Sequence, residues 1–387
     1  MKKYFSAHAP LWELGFRPFF LFGSLFSIIA IALWIALLSQ GRPVLGYLNP
    51  MIWHAHEMIY GFTTAIISGF VLTASQNWTG IRGLHGKKLQ FLFALWLVGR
   101  IALFFSRESN IAAALVDLSF FPLLAFYLAP YLSDPELKVE RVFLLFFALF
   151  FTGNLLVHLD SFGLVQNLAR RGVLLGLNTV TLVIVFMGGR VIPFFTESTI
   201  AKAQPRTYPW IEILSHTSAW LFLITQFFSA DTPFAASIAF SAAGIHFLRV
   251  LRWQVPRVKR IPLLWVLHLA YFWLVIGFLL SGLAGLQLLP FTVAIHAFTV
   301  GALGSMIYGM ISRVSLGHTG RPLRPSPWIV TGYLLLNSAA AIRIIGPLVT
   351  PQSYLWAIAL SGFLWITAFG LFAAIYWAML ITPRVRD

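Results

Sequence analysis

The sequence predicts an all-α protein that crosses a membrane about twelve times. Three observations predict it. Of 387 residues, 59% are hydrophobic and only 10% are charged, where a soluble domain carries about 25% charged residues, and the mean hydropathy is +0.83. Apolar runs of about 20 residues, the length that crosses a hydrocarbon core, recur along the whole chain. The basic residues sort to alternate ends of these runs. With the N-terminus placed inside, the 27 Lys and Arg fall at inner ends and loops, save Arg42, Arg107, Arg170 and Arg171 in outer loops and Arg100 and Arg343 within spans. That is the positive-inside pattern, with both termini cytoplasmic.

The spans follow in order. Span 1 (16–39) is too long for a cleavable signal and lacks a small-residue cleavage site. Span 2 (50–76) opens on Trp53-His54-Ala55-His56-Glu57. Span 3 (87–106) carries Arg100 in its outer half. Span 4 (110–132) ends near Pro130 and Pro135. Span 5 (138–161) holds the aromatic stretch Phe143 to Phe151, read as core or lipid-facing, and ends on His158 and Asp160. Span 6 (170–196) contains Arg190. Span 7 (208–229) starts at Pro209 and has His216 early. Span 8 (232–253) starts at Pro233 and has His246 late. Span 9 (262–281) starts at Pro262 and has His268 early. Span 10 (287–313) contains Pro290, His296 and Arg313. Span 11 (326–346) starts at Pro327 and carries Arg343, and span 12 (352–381) closes the chain. Prolines at these boundaries stop and restart helices. The loops are too short for a soluble domain, so residues 1–387 read as a single integral membrane domain in a lipid bilayer.

The formal net charge of +15 is a topology determinant and gives no sign of a nucleic-acid partner, since Lys2, Lys3, Arg82, Lys87, Lys88, Lys202, Arg206, Arg252, Arg257, Lys259, Arg260, Arg321, Arg324, Arg384 and Arg386 all sit at inner positions. With 37 Phe and 14 Trp the chain suits lipid-facing surfaces and interfacial belts. With no cysteine, disulfides, thiolate haem ligation and cysteine-held iron–sulfur clusters are excluded. No Walker-type glycine loop, dinucleotide fingerprint, nucleophile elbow or zinc-protease motif is present.

A weak internal repeat runs through the chain. Shifted by 240 positions, span 2 falls on span 10: His56 meets His296, Gly61 meets Gly301, Gly69 meets Gly309, and Ser75-x-x-x-Thr79-Gly80 meets Ser315-x-x-x-Thr319-Gly320. A shift of 243 brings Arg100 onto Arg343, and spans 6 and 10 both end on Met-x-x-Arg-Val, at Met187 and Met310. Three parallel four-helix units would produce this spacing. Chance among glycine-rich apolar helices is the competing account.

Seven of the ten histidines lie inside spans, at two depths. Ionisable groups in a membrane are costly, so each is a functional candidate. The outer level collects His54, His56, His158, His296, Glu57, Arg100 and Arg343. The inner level collects His216, His246 and His268. His8, His85 and His318 belong to the terminus and inner loops. Imidazoles buried without cysteine point to bound metal or haem. His54 and His56 diverge by about 200° on a regular helix and cannot share one metal, whereas His54 and Glu57 share a face. One of the two histidines therefore ligates a centre with His296 or His158, and the repeat favours His56 with His296. A haem needs axial imidazole, an apolar slot and cationic propionate partners, the last supplied by Arg100 and Arg343. Copper beside haem would make a site for a diatomic gas, with Glu57 as proton donor or carboxylate ligand. The plainer reading makes each histidine a hydrogen-bonding pin between helices, ties Arg100 and Arg343 to Glu57, Asp117 or backbone carbonyls, and lets Arg190 and Arg313 snorkel.

Five segments together resemble the NnrS family over residues 11 to the C-terminus. They are Leu14-Gly-Phe-Arg-Pro-Phe-Phe20, Trp53-His-Ala-His-Glu-Met58 with Gly61-Phe62, Gly69-Phe-Val-Leu-Thr-Ala74 with Asn77-Trp78, Arg190-Val-Ile-Pro-Phe-Phe-Thr196, and Arg313-Val-Ser-Leu-Gly-His-Thr-Gly-Arg-Pro-Leu323. The resemblance implies a twelve-span bacterial inner-membrane protein associated with haem, copper and nitric oxide defence. It marks His54, His56, Glu57 and His296 as motif residues of a metal site, without assigning their roles, and places His318 in a loop motif as a structural residue or surface ligand.

The leading expectation is a protein with one or two haem b groups, and copper as a further metal, that removes nitric oxide. Two molecules of nitric oxide, two electrons and two protons would give nitrous oxide and water. The outer histidines would hold the catalytic metal. His216, His246 and His268 would hold a haem that relays electrons from quinol, since the chain has no c-type haem motif. A non-enzymatic nitric oxide sensor or sequestering protein is the second expectation and a transporter the third. The few carboxylates within the spans weaken a proton-coupled transporter.

Overall fold

The computed structural model describes residues 6–40, 46–106, 110–133, 136–137, 140–349, 352 and 354–385. Lys2, Lys3, Arg42, Arg107, Pro135 and Arg386 lie outside the described residues. Among those described there is no strand. After a short 3-10 turn, Pro10–Trp12, come twelve long helices. They are α1 (Phe16–Gln40), α2 (Pro50–Thr79), α3 (Gly86–Phe105), α4 (Ile111–Leu132), α5 (Val142–Ser161), α6 (Ala169–Thr199), α7 (Pro209–Phe228), α8 (Pro233–Leu251), α9 (Pro262–Gly285), α10 (Phe291–His318), α11 (Pro327–Val349) and α12 (Tyr354–Ile381). The protein is an all-α polytopic membrane protein. Eleven of the helices are long and apolar enough to cross a bilayer. The exception is α7, whose apolar residues are diluted by Glu212, Ser215, His216, Thr217 and Ser218.

The chain divides into two compact units. The first comprises Met1–Gly176, Val314–Pro322 and Phe369–Asp387, and the second Leu177–Arg313 and Leu323–Ala368. Three of their four borders fall inside α6, α10 and α12, and the fourth lies in the connection between α10 and α11. The 240-residue repeat is present in the backbone. α2 starts at Pro50 and passes into a π-helical segment at Glu57–Thr63. α10 follows Pro290 and passes into one at Ala297–Gly304. Beyond them, Gly80 and Gly320 both take left-handed backbone, with φ of 69° and 72°. π segments inside α-helices are rare and recur at functional sites.

The first unit shows why this backbone forms. Asn49 caps α2, its side chain accepting from Met51 N at 3.0 Å, and Pro50 occupies the first turn, where no donor is needed. Thr63 Oγ donates to Met58 O, five residues back, at 2.7 Å, closing the widened turn. The Trp96 indole donates to Gly61 O at 2.9 Å from α3. Gly61 itself is required by packing: a Cβ there would meet Phe26 Cε1 at 2.7 Å and Arg100 Cδ at 3.2 Å. α4 is interrupted at Ser119, between Ile111–Leu118 and Phe120–Leu132. Its first segment carries Asp117 inward, where it is 3% exposed.

Two readings are corrected by the structure and a third is borne out. α10 continues to His318, so that residue belongs to a helix end, and its ring packs on Phe16 at 5.5 Å. Arg313 does not snorkel: it is 7% exposed, with its guanidinium 3.8 Å from the Phe195 ring centroid. The stretch from Phe143 is core at Phe143, Phe146, Phe147 and Phe150, with Leu145 outward.

Candidate metal centre

Three helices of the first unit bring His56 (α2), Asp117 (α4) and His158 (α5) together. One ligand atom from each lies within 4.8 Å of the others. His56 Nε2 is 3.4 Å and His158 Nε2 3.0 Å from Asp117 Oδ2. Among the described residues this is the only such group of three or more potential metal ligands. A metal bound to nitrogen and oxygen donors at about 2.0–2.2 Å needs donors spaced by about 3–3.4 Å, so the two separations from Asp117 suit an ion.

A second ring of contacts holds the three side chains. His56 Nδ1 donates to Glu57 Oε1 at 2.9 Å. Arg100 donates to the same oxygen at 2.9 Å and to Asp117 Oδ1 through its other nitrogen. Asn154, one turn before His158 on α5, donates from Nδ2 to Asp117 Oδ2 at 2.7 Å. That fixes its amide, so its Oδ1 faces His56 Nε2, also at 2.7 Å. Tyr47 OH lies 2.7 Å from His158 Nδ1 and serves either tautomer of that ring. Tyr47 lies outside the spans, and burial raises its phenol above its ordinary range, so the hydroxyl keeps its proton.

Both nitrogens of His56 thus face oxygen acceptors, Glu57 Oε1 and Asn154 Oδ1. Only N–H groups on both, or a cation in place of the Nε2 proton, satisfy that arrangement. Charge counting agrees. Glu57 and Asp117 bring two negative charges and Arg100 one positive, all buried. An uncompensated buried charge is strongly destabilising. The excess is a single negative charge, which a doubly protonated His56 or a cation where the three donors meet would offset.

Two imidazoles and one carboxylate form a donor set suited to non-haem iron, with positions left open. The carboxylate–histidine contact from Glu57 to His56 is the usual outer-shell support of a metal-binding imidazole. A porphyrin does not fit between His56 and His158, because Asp117 and Asn154 occupy that space. Arg100, expected to face haem propionates, is taken up by carboxylates of the chain itself.

The other expected site residues have other partners. His54 points to the opposite side of α2 from His56, its ring stacked on Trp34 at 4.4 Å and 11°. His296 belongs to the second unit, half-buried, with Nδ1 2.6 Å from Thr292 O. Arg343 is also in that unit, 5.2 Å from the Tyr354 ring centroid. The inner histidines converge on no common centre among the described residues. His268 has Nδ1 2.9 Å from Leu264 O and Nε2 3.1 Å from Trp253 O, which leaves neither nitrogen for a ligand. His216 Nδ1 is 2.7 Å from Glu212 O. His246 Nδ1 contacts Tyr271 OH at 2.7 Å, while its buried Nε2 makes no hydrogen bond of ordinary geometry. Arg249 binds Glu212 through two nitrogens, together with Val185 O and Tyr271 OH.

Sequence reasoning named Asp117 only as a partner for arginine and passed over Asn154 and Tyr47. Asp117 had a signal, a lone carboxylate inside an apolar run. Asn154 had a fainter one, since it precedes His158 by four residues and so shares its face. Tyr47, in a loop, had none.

No curated protein matches the chain. The family described as NnrS protein matches residues 10–384, nearly the whole chain, and on that match the chain belongs to the NnrS family.

Proposed function

We propose that this protein binds nitric oxide at a non-haem metal held by His56, Asp117 and His158, in the bacterial cytoplasmic membrane with both termini on the cytoplasmic side. Family membership supports a role in the nitric oxide response. The observation that supports a metal is the convergence of two imidazoles and one carboxylate, with ligand atoms within 4.8 Å of one another. Iron is the first choice for this donor set and copper the second. Such a metal supplies an open position and an electron to a diatomic ligand. The residues around it hold it ready. Glu57 orients His56, Tyr47 orients His158, Asn154 spaces His56 from Asp117, and Arg100 neutralises both carboxylates. In this reading Glu57 positions a ligand and is not the proton donor.

The test is elemental analysis of the purified full-length chain, with EPR spectra recorded before and after anaerobic nitric oxide. About one iron or copper per chain, lost in Asp117→Asn and His158→Ala, and a spectrum changed by nitric oxide, is expected. A folded wild-type chain that is metal-free after supplementation sinks the reading. Reduction to nitrous oxide, with quinol as donor, is the catalytic extension. Headspace nitrous oxide under a quinol donor decides it, and stoichiometric uptake without product leaves a sequestering protein.

One observation favours a haem b in addition. His246 Nε2 is fully buried and makes no hydrogen bond of ordinary geometry, and its ring stacks on Phe278 at 5.0 Å and 15°. An axial ligand presents such a nitrogen. A b-type optical spectrum that disappears in His246→Phe supports it, and its persistence in that variant removes the assignment.

A further inference from the structure

Among the described residues the buried arginines are Arg17, Arg100, Arg249, Arg313 and Arg343. Four of them reach an oxygen acceptor. Arg17 donates to Leu380 O and Thr382 O, and Arg100 binds Glu57 and Asp117. Arg249 binds Glu212, Val185 O and Tyr271 OH, and Arg343 reaches Tyr354 OH. Arg313 is different. Its guanidinium lies 3.8 Å from the Phe195 ring centroid, and among the described residues it has no carboxylate, carbonyl or hydroxyl acceptor. A cation–π contact offsets only part of the cost of burying a charge. Tyr333 is buried beside it. Its hydroxyl makes no hydrogen bond of ordinary geometry and lies within reach of the charge on Arg313. Two buried donors of the second unit therefore lack an acceptor in the same place.

The helices around them fix a depth. Arg313 stands five residues before the end of α10 at His318, Phe195 four before the end of α6 at Thr199, and Tyr333 six after the start of α11 at Pro327. At 1.5 Å per residue all three lie about 6–9 Å from a helix end. On the topology proposed above these ends are cytoplasmic. Trp265, half-buried, meets the Tyr333 ring edge-on at 5.6 Å, and Trp328 is 65% exposed in the first turn of α11. Tryptophans so placed mark the membrane–water interface. Lys202, Arg206 and Arg324 are exposed in the connections after α6 and before α11, where basic side chains attract anionic headgroups. Phe195 and Arg313 also come from two motif segments that the metal centre does not use, Arg190-Val-Ile-Pro-Phe-Phe-Thr196 and the segment that begins at Arg313.

We propose that Arg313 and Tyr333 form the phosphate site of an anionic membrane lipid, seated between the ends of α6 and α10 and the start of α11. A phosphodiester is an acceptor with two free oxygens, and the guanidinium fork matches them while the phenol donates to one. Basic pockets between spans on the cytoplasmic side take such headgroups. Phe195 is half-buried, so the guanidinium lies behind a ring that itself reaches the surface. The depth favours a lipid over a free ion, because a lipid keeps its acyl chains in the bilayer while its phosphate sits at the level of the helix ends. The site lies wholly in the second unit and stands whether or not the first holds a metal.

The test follows binding to the delipidated full-length chain in detergent by native mass spectrometry and thermal melting. The probes are phosphatidylglycerol, zwitterionic phosphatidylcholine and inorganic phosphate. Wild type is expected to bind one phosphatidylglycerol at least tenfold more tightly than phosphatidylcholine, and to melt at a higher temperature with it. Arg313→Met keeps the length and the apolar packing but removes the charge. It is expected to weaken phosphatidylglycerol at least tenfold and, free of lipid, to melt no lower than wild type, since an unpaired buried charge has been removed. Tyr333→Phe, which keeps the ring, is expected to weaken the lipid at least twofold and serves if the arginine variant folds poorly. Equal phosphatidylglycerol affinity in wild type and in both variants overturns the site. A lipid-free Arg313→Met chain that melts several degrees below wild type makes the arginine a packing residue and overturns it too. Equal affinity for the two lipids overturns the anionic headgroup. Equal stabilisation by inorganic phosphate makes the ligand a soluble ion and overturns the lipid.

Discussion

The two π segments are copies of one backbone device with different chemistry. In α2 the segment opens with His56 and Glu57, and in α10 with His296 and Ala297. Both keep a glycine that admits an aromatic ring from another helix of the same unit. A Cβ at Gly61 would strike Phe26, and one at Gly301 would strike Trp273, each at 2.7 Å. What differs is the polar complement. Glu57 becomes Ala297, Tyr60 becomes Val300 and Thr63 becomes Leu303. The arginines diverge in step: Arg100 pairs with two carboxylates, whereas Arg343 rests on the Tyr354 ring. The π segment is thus a packing solution that the fold uses twice, and the candidate site is what one copy adds to it.

The largest effect is expected from breaking the charge balance of the first copy. Asp117→Ala leaves Arg100 and His158 without their shared partner, and loss of one member of a buried charged network costs about 3–5 kcal/mol. Thermal unfolding in detergent should fall steeply and bound metal should vanish. Retained metal at wild-type stoichiometry would remove Asp117 from the ligand set.

Next comes the reverse experiment in the second copy. Ala297→Glu writes the first copy's carboxylate into α10, where Arg343 rests on the Tyr354 ring and His296 Nδ1 faces Thr292 O. A lone carboxylate within a span costs about 2.5–3.5 kcal/mol on insertion scales. The variant should be less stable than wild type, with metal binding at the first site unchanged. An undiminished melting temperature would mean that the second copy already has a partner waiting for a carboxylate.

A smaller effect is expected from Glu57→Gln. It keeps the shape and one acceptor for His56 but removes the charge. Loss of an outer-shell partner lowers metal affinity by about 10–100-fold, so competition with a chelator should show a weaker but occupied site. Complete loss of metal would make Glu57 a ligand. An unchanged affinity would return it to the proton-donor role.

The limits of the sequence follow the same division. Span length and charge sorting exposed twelve helices because they are properties of single segments. The histidines of the first site were legible for the same reason. Their grouping was not. The repeat suggested His56 with His296, and a repeat relates equivalent positions without naming the neighbours of either. The actual neighbours of His56 come from α4 and α5, and nothing in the sequence of α2 names them. The π segments were invisible because α2 and α10 are apolar on most faces, which hides the phase shift that an i→i+5 turn introduces. α7 shows the opposite failure, a full-length helix whose polar face lowers the hydropathy by which spans are recognised.

The smallest effect concerns what holds the π turn itself. In the first copy Thr63 Oγ bonds to Met58 O across the widened turn. In the second copy Leu303 stands at that position, and the turn is still there. The hydroxyl is therefore an addition to the turn and not its cause, while the glycine and the aromatic ring beneath it are common to both. Thr63→Val removes the hydroxyl and keeps the shape, and loss of one such hydrogen bond costs about 0.5–1.5 kcal/mol. Stability should drop by no more than that, and metal content should hold, because His56 lies ahead of the turn and is fixed by Glu57, Asn154 and the rest of its ring of contacts. Loss of metal in Thr63→Val would show that the hydroxyl sets the register of α2 after all. The two copies would then reach the same backbone by different means.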